Sequence, residues 1–460
     1  MAKKAKNKKP SKRNKRKNIR LKIKRIVIFV AIVIALTIIT MICIFLNRPH
    51  EAEKPILPVM RIVLDDVTLE EINENSKEIK YPDNLMSLET SNGIYTFLEV
   101  ELKGWGNYSW KADKKSYRLK FNKKVNLLNL GKKRKWVLVS NDIDDSFLRN
   151  DLAYYLSGLI GSKYVPKGEF VKLIIDENDL GLYYLTKTIE IDKQAVDLKE
   201  PEGILVEIDN SYCDAEEKWY RLRPGDCMVF KDVVAEDYMD IASEDFLDDY
   251  KKLLNAIEEK DYGLAWQYAD LESFARYFVL SEFTANPDAF ITSWYLYKDG
   301  PDDKIHSDLF WDFDGAFGNR RWGWWSEELY SPTTNLARFK YTFEPSETKV
   351  CGVNKKIIVE STVDISWTMC DLLEMPEFRS LVEEIYLRDL STRRNEVMDY
   401  VNKRRLEIEE VAEEDVKMWE KEDFNAEVDY LLDWVEKRFN YFDENYGEKI
   451  IDAKDITRQL

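Results

Sequence analysis

Two carboxylates separated by a single residue, Asp312 and Asp314, stand in the segment LFWDFDGAFGN (309–319). If Leu309 to Asp314 is a strand, residues i and i+2 point the same way and both acids face one site. Gly315 and Gly318 then allow sharp turns, while Phe310, Trp311, Phe313 and Phe317 bury the segment's other faces. Two acids forced together in such surroundings repel unless a cation sits between them. Mg²⁺ takes one or two carboxylates plus phosphate oxygens and waters, so the pair is a candidate magnesium seat. The bland alternative is a surface turn with two solvated acids. An Asp-x-Asp pair is also used by metal-dependent glycosyltransferases to hold a nucleotide-sugar. The D-x-D-x-E pattern of retaining chitinases fails here, because Ala316 stands where its acid should be.

Other chemistries fall away by elimination. The chain has two histidines, His50 and His306. Neither lies in a segment promising for a Ser-His-Asp or Cys-His mechanism, and histidine-rich zinc sites are excluded by count. No Walker A loop and no GxGxxG occurs. Any chemistry must rest on carboxylates, lysines and arginines.

The elements that must position these residues divide by pattern. Met60–Asp65, Ile94–Leu102, Ser116–Phe121 and Trp136–Ser140 read as strands, and in the third Tyr117, Leu119 and Phe121 share a face. Phe147–Ile160 carries a helical stripe. Val171–Ile175 and Leu182–Leu185 flank a turn-like DENDLG and read as a hairpin. The second half turns helical, with Asp245–Glu259 and Leu271–Asn286, then strands at Trp294–Lys298 and Leu309–Asp314. From Pro376 onward the pattern is again helical, and Val428, Leu431, Leu432, Val435, Phe439 and Phe442 form a packing face.

On these segments the chain resembles the CotH kinase family, the spore coat protein H group. WDFDGAFGN looks like the family's Trp-Asp-x-Asp pattern followed by Phe-Gly-Asn. GWGNYSWKADKKSYRLKF, SNDIDDSFLRNDLAYYLSGLIG, GLYYLTKTIEID and NPDAFITSWYLYKD resemble four further family segments, in family order. The resemblance implies an α+β, atypical two-lobed protein-kinase-like fold, with a strand-rich N-terminal lobe and a helical C-terminal lobe. It implies ATP with Mg²⁺ or Mn²⁺, and transfer of phosphate to serines of spore coat, envelope or secreted proteins. Carried over by position, Asp288 is the catalytic aspartate that orients the hydroxyl and accepts its proton. Asp312 and Asp314 hold the metal. Lys114 or Lys115, with Arg118, touch the phosphates, and Arg149 is either a cleft residue or a helix anchor. Three positions depart from the pattern: Trp105 for an arginine, Lys187 for a glutamate, and Ser293 for an asparagine that helps hold a second metal. They motivate the alternative of a catalytically weak or inactive scaffold of the coat or envelope.

Charge and hydropathy set the expected location. Residues 1–50 carry 15 Lys/Arg and no Asp/Glu, whereas the rest of the chain carries 54 basic and 85 acidic side chains. An acidic body argues against nucleic-acid binding and suits a basic or Ser-rich protein substrate. Ile26–Leu46 runs for 21 residues without a charge, the length of a membrane-spanning helix. Its basic flank predicts a cytoplasmic tail at 1–25, a span at 26–46 and an extracytoplasmic domain at the cell envelope or spore surface. A linker at 47–58, a kinase-like domain at 59–375 and its helical end at 376–460 complete the organisation. Cys213, Cys227, Cys351 and Cys370 match no zinc spacing; one or two disulfides or four buried thiols fit equally.

Overall fold

Alternation of apolar and polar residues from residue 59 to 186 produces strands that close on one another. The computed structural model describes residues 57–322, 330–334 and 366–446. The strands are β1 (Val59–Val63), β2 (Tyr81–Thr90), β3 (Gly93–Trp105), β4 (Ser116–Asn126), β5 (Lys132–Val139), β6 (Gly168–Ile175) and β7 (Asn178–Thr186). They form a closed barrel in the order β1-β2-β3-β4-β5-β7-β6. Closure comes from a parallel pairing of β1 with β6, in which Val59 lies opposite Lys172. The predicted face of β4 holds: Tyr117, Leu119 and Phe121 are buried with Met60, Ile62, Leu102, Trp136 and Leu173 in the barrel core. Helix α1 (Leu69–Glu74) plugs Ile72 into that core and starts with a capping box between Thr68 and Glu71.

After β5 the chain turns into helix α2 (Arg149–Leu159), and after β7 it enters a second layer. That layer is a five-stranded sheet of β8 (Ile204–Ile208), β9 (Trp219–Arg223), β10 (Asp226–Val233), β11 (Trp294–Lys298) and β12 (His306–Leu309), ordered β12-β11-β8-β10-β9. Helices α3 (Met239–Glu258), α4 (Tyr262–Tyr268) and α5 (Leu271–Thr284) lie between β10 and β11 in sequence. Then come α6 (Thr368–Leu373), α7 (Pro376–Ile385), α8 (Arg394–Met418) and α9 (Phe424–Tyr446). α2 and these helices pack with the sheet around a second core, which takes in Val428, Leu431, Val435, Phe439 and Phe442 of the predicted α9 face; Leu432 is only partly buried. The architecture is a mixed α+β one, strand-rich in its N-terminal half and helical in its C-terminal half.

One expectation changes, one open question is decided in part, and one expectation falls outside the described residues. The strand drawn through Leu309–Asp314 stops at Leu309, and three residues on Asp312 adopts a left-handed backbone at φ 68° that turns the chain away from an extended course. The cysteine question is decided in part: Cys213 and Cys227 are disulfide-bonded and Cys370 is buried, while Cys351 lies outside the described residues. The apolar run 26–46 also lies outside them; among the described residues no helix is long and apolar enough to cross a membrane.

His306, dismissed in the sequence as a loop residue, begins β12 and locks the sheet to α5. Its Nδ1 meets Asp270 and its Nε2 meets Asp303, each at 3.2 Å, and its ring stacks on Tyr297. Burial opposes its charge, but the two carboxylates outweigh burial and raise its pKa to about 9. A group whose folded pKa lies above its unfolded value stabilises fully below the unfolded value, and that contribution fades as pH rises through the folded one. His306→Gln should therefore destabilise by roughly 1–3 kcal/mol at pH 6, and the gap to wild type should close by about pH 10. Paired thermal melts across that range measure it.

Candidate active site

Asp312 and Asp314 do come together, by a route other than a strand. Past β12 the chain leaves the sheet and is pinned residue by residue. The Tyr154 hydroxyl is hydrogen-bonded to the Asp312 backbone. The Phe313 amide donates to Asn150 Oδ1 at 2.7 Å, and Asn319 Nδ2 donates to Asp314 O at 2.7 Å and to Ile143 O at 2.8 Å. Gly318 takes φ 66° against Trp434; a Cβ there would lie 2.4 Å from the indole nitrogen and 2.6 Å from Tyr330 O. Only glycine fits that approach.

The result places two half-buried carboxyls within hydrogen-bonding reach of each other. Burial raises both above the ordinary carboxylate range. For Asp314 the negative charges of Asp312, Asp288 and Asp144 push further in the same direction. Among the described residues neither Asp312 nor Asp314 has an ion-pair partner. The Ser293 hydroxyl donates to Asp312 Oδ2 at 3.3 Å, and Ser293 also holds a left-handed backbone, φ 54°.

Asp288 belongs to the same constellation. It follows α5 in a turn organised by Asn286, whose Oδ1 accepts from the Asp288 amide at 3.1 Å and whose Nδ2 donates to Asp312 O at 3.3 Å. One amide side chain thus sets the spacing between the Asp288 turn and the Asp312 loop. The far end of the turn is tied to β8 and β10: Thr292 Oγ1 donates to Asp209 at 2.9 Å, and the Asn210 amide donates to Ile291 O at 2.8 Å. Beside Asp209, Glu207 is pushed up to about 7 by burial, with Lys231 opposing that rise.

The expected phosphate-contacting cations are placed otherwise. Lys114 is wholly buried, paired with Asp415 of α8, and donates to Leu182 O at 2.6 Å. Burial pulls its pKa down to about 7 against the pull of Asp415. Lys115 donates to the Trp110 and Ala112 carbonyls, and Arg118 pairs with Glu101 at 3.2 Å. Among the described residues none of the three bonds to Asp312 or Asp314. Arg149, left open between cleft and anchor, is the anchor. It is fully buried and directs Nε to Ala316 O at 3.1 Å and Nη1 to Asp144 and Ser146. Its hydrogen bonds run to protein groups, and it exposes no surface in this structure. Asn150, Asn286, Asn319 and Asp144 carry the site's geometry and were not singled out from the sequence, though all four lie inside the quoted segments.

The donor set suits a hard divalent cation: carboxylate oxygens, a hydroxyl, and an acidic pair without an ion-pair partner among the described residues. Among the described residues no group of three or more His, Cys, Asp or Glu is placed to hold a metal by itself. A cation here therefore needs oxygens from another molecule, which is how Mg²⁺ binds phosphates.

A protein-family model described as CotH kinase protein matches residues 101–442. The comparison with curated proteins gives no match.

Replacing Asp314 with Asn removes like-charge repulsion together with a ligand. Without metal, Asp314→Asn should melt about 2 °C higher, from roughly 1 kcal/mol of relief. Wild type should be stabilised by Mg²⁺ added together with ATP and the variant should not. Because the native carboxyl holds its proton more tightly than the unfolded one, wild-type stability without metal should fall as pH rises above the ordinary carboxylate range. The variant should lose that slope; scanning calorimetry with and without Mg²⁺ and ATP checks all three outcomes.

Proposed function

The chain belongs to the family of CotH kinase proteins, and on that premise we propose that it transfers the γ-phosphoryl group of ATP to a serine hydroxyl of a protein. The observation that carries this reading is the Asp312–Asp314 pair, held together beside Asp288 with no ion-pair partner for either pair member among the described residues. Phosphoryl transfer asks a protein mainly to position groups and neutralise charge, and needs no histidine. Asp312 and Asp314 would hold a divalent ion, which would supply positive charge for the nucleotide phosphates. Asp288 orients the attacking hydroxyl and takes its proton as the new phosphate ester bond forms and ADP leaves. Ser293 holds Asp312 in its rotamer and is a weaker metal ligand than an amide.

Location and substrate follow from sequence features. The uncharged run 26–46 with its basic flank supports a membrane anchor with the domain outside the cytoplasm. The Cys213–Cys227 bond supports an oxidising compartment. The acidic body supports a basic, Ser-rich substrate of the spore coat, the envelope or the secreted set.

A second reading, a catalytically weak or inactive scaffold, is favoured by one observation: Lys114, Lys115 and Arg118 are all engaged with protein partners. One assay separates the two. Full-length protein with Mg²⁺, ³²P-labelled ATP and a basic Ser-rich peptide should label the peptide and release ADP. Asp288→Asn should lower the rate at least 100-fold, of the order that loss of a general base carries, while leaving Mg-ATP binding intact. Tight Mg-ATP binding without labelling would favour the scaffold; absence of both binding and labelling would sink the kinase reading.

A further inference from the structure

A second polar cavity opens where β7 leaves the barrel, about 470 Å³ in volume. Its wall includes Lys163 and Lys167 from the connection between α2 and β6, and Lys187, Thr188 and Lys193 from the segment after β7. Four lysines converging on one cavity are unusual on a domain with a large excess of acid. Elsewhere on the barrel such lysines are matched: Lys133 and Lys135 with Glu190, Lys124 with Asp192, Lys172 with Asp179 and Glu414. Among the described residues Lys163, Lys167, Lys187 and Lys193 have no ion-pair partner.

Two further observations point to a ligand. The Thr188 side chain is 92% buried, and its Oγ1 has no hydrogen-bond partner among the described residues, which a buried hydroxyl rarely tolerates. Lys187 is half-buried and fixed, its Nζ donating to Gln194 O at 2.7 Å with two protons still to give. Burial first, then the nearby charges of Lys133 and Lys167, pull its pKa down to about 8, with Asp192 opposing. An ammonium so placed gains from any anion that enters.

We propose that this cavity binds a phosphate group, free or as a monoester, held by Lys187 and the Thr188 hydroxyl with Lys163, Lys167 and Lys193 around it. A tetrahedral dianion accepts several hydrogen bonds at once, which matches a fixed hydroxyl and several ammonium groups. The site is assembled without Asp312 or Asp314, so it stands whether or not the chain is a kinase.

Titration calorimetry on the full-length protein in EDTA tests it, with inorganic phosphate and O-phosphoserine as separate probes. At least one probe should bind, and the tighter of the two identifies the source, free ion or ester. Lys187→Gln combined with Thr188→Val should weaken that binding at least tenfold, while Lys187→Arg and Asp312→Asn should leave it within twofold. Circular dichroism and melting temperature confirm that each variant is folded. Failure of both probes to bind wild type, equal binding by the double variant, or loss of binding in Asp312→Asn would each overturn the proposal. The last result would move the anion to the carboxylate site.

Discussion

A guanidinium with no access to water depends on partners inside the protein, and Arg149 draws on three separate pieces of chain, with Nε and Nη1 hydrogen-bonded and Nη2 facing Glu427 as an ion pair only. Its own turn supplies Asp144 and Ser146, the loop carrying the acidic pair supplies Ala316 O, and α9 supplies Glu427 at 3.5 Å. Asp144 is occupied in turn, accepting from the Ser146 amide at 3.1 Å and the Arg149 amide at 2.9 Å. Removing one member of such a buried network strands the others, at a cost of roughly 3–5 kcal/mol. The connection from the barrel, the candidate metal loop and the last helix are thereby fixed to one another. The acids at Asp312 and Asp314 can be held in mutual repulsion because the backbone beneath them is bound to a charge that cannot leave.

The same logic applies to Lys114, which is paired inside the protein. Asp415 accepts from Lys114 Nζ and from the Leu182 amide at 2.6 Å, so one carboxylate on α8 holds β7 and the segment that leads into β4. Lys421, just beyond α8, donates to Asn141 O at 2.8 Å at the end of β5. These links join the barrel to the C-terminal helices through polar contacts, while each retains its own hydrophobic core. Cations a phosphate could have recruited are committed to holding the two together.

Local patterns were legible where local physics decides. The alternation in β4 and the helical stripe of α9 depend only on which side of an element is wet. The acidic pair was legible as a pair, but its geometry was not. Its proximity comes from a left-handed residue and from Asn150, 163 positions away from the amide it binds. No spacing rule exposes a partner at that distance. Barrel closure was hidden for the same reason, since β1 meets β6 across more than a hundred residues. Strand β2 was not among the strands read from the sequence, and its start carries Pro82, Asp83 and Asn84, residue types that favour turns. In the structure Asp83 bulges at φ 68°, and the buried Asn84 side chain donates to the Tyr81 and Val100 carbonyls, so the strand continues past them. Lys187 breaks the family pattern, and it is also the residue that turns one cavity wall basic.

The disulfide between Cys213 and Cys227 reaches beyond the loop it closes. The Cys227 carbonyl accepts from the Asp209 amide at 2.9 Å, and its amide donates to Asn210 Oδ1 at 3.0 Å. Asp209 and Asn210 are the residues that hold the turn carrying Asp288. The crosslink closes a short loop, 14 residues apart in sequence, of the size that contributes about 3 kcal/mol in chain-entropy terms. Redox history thus becomes a hidden coordinate of the site. Two preparations of identical sequence, one matured under oxidising conditions and one under reducing, differ in how firmly the Asp288 turn is braced while sharing every residue that faces a ligand.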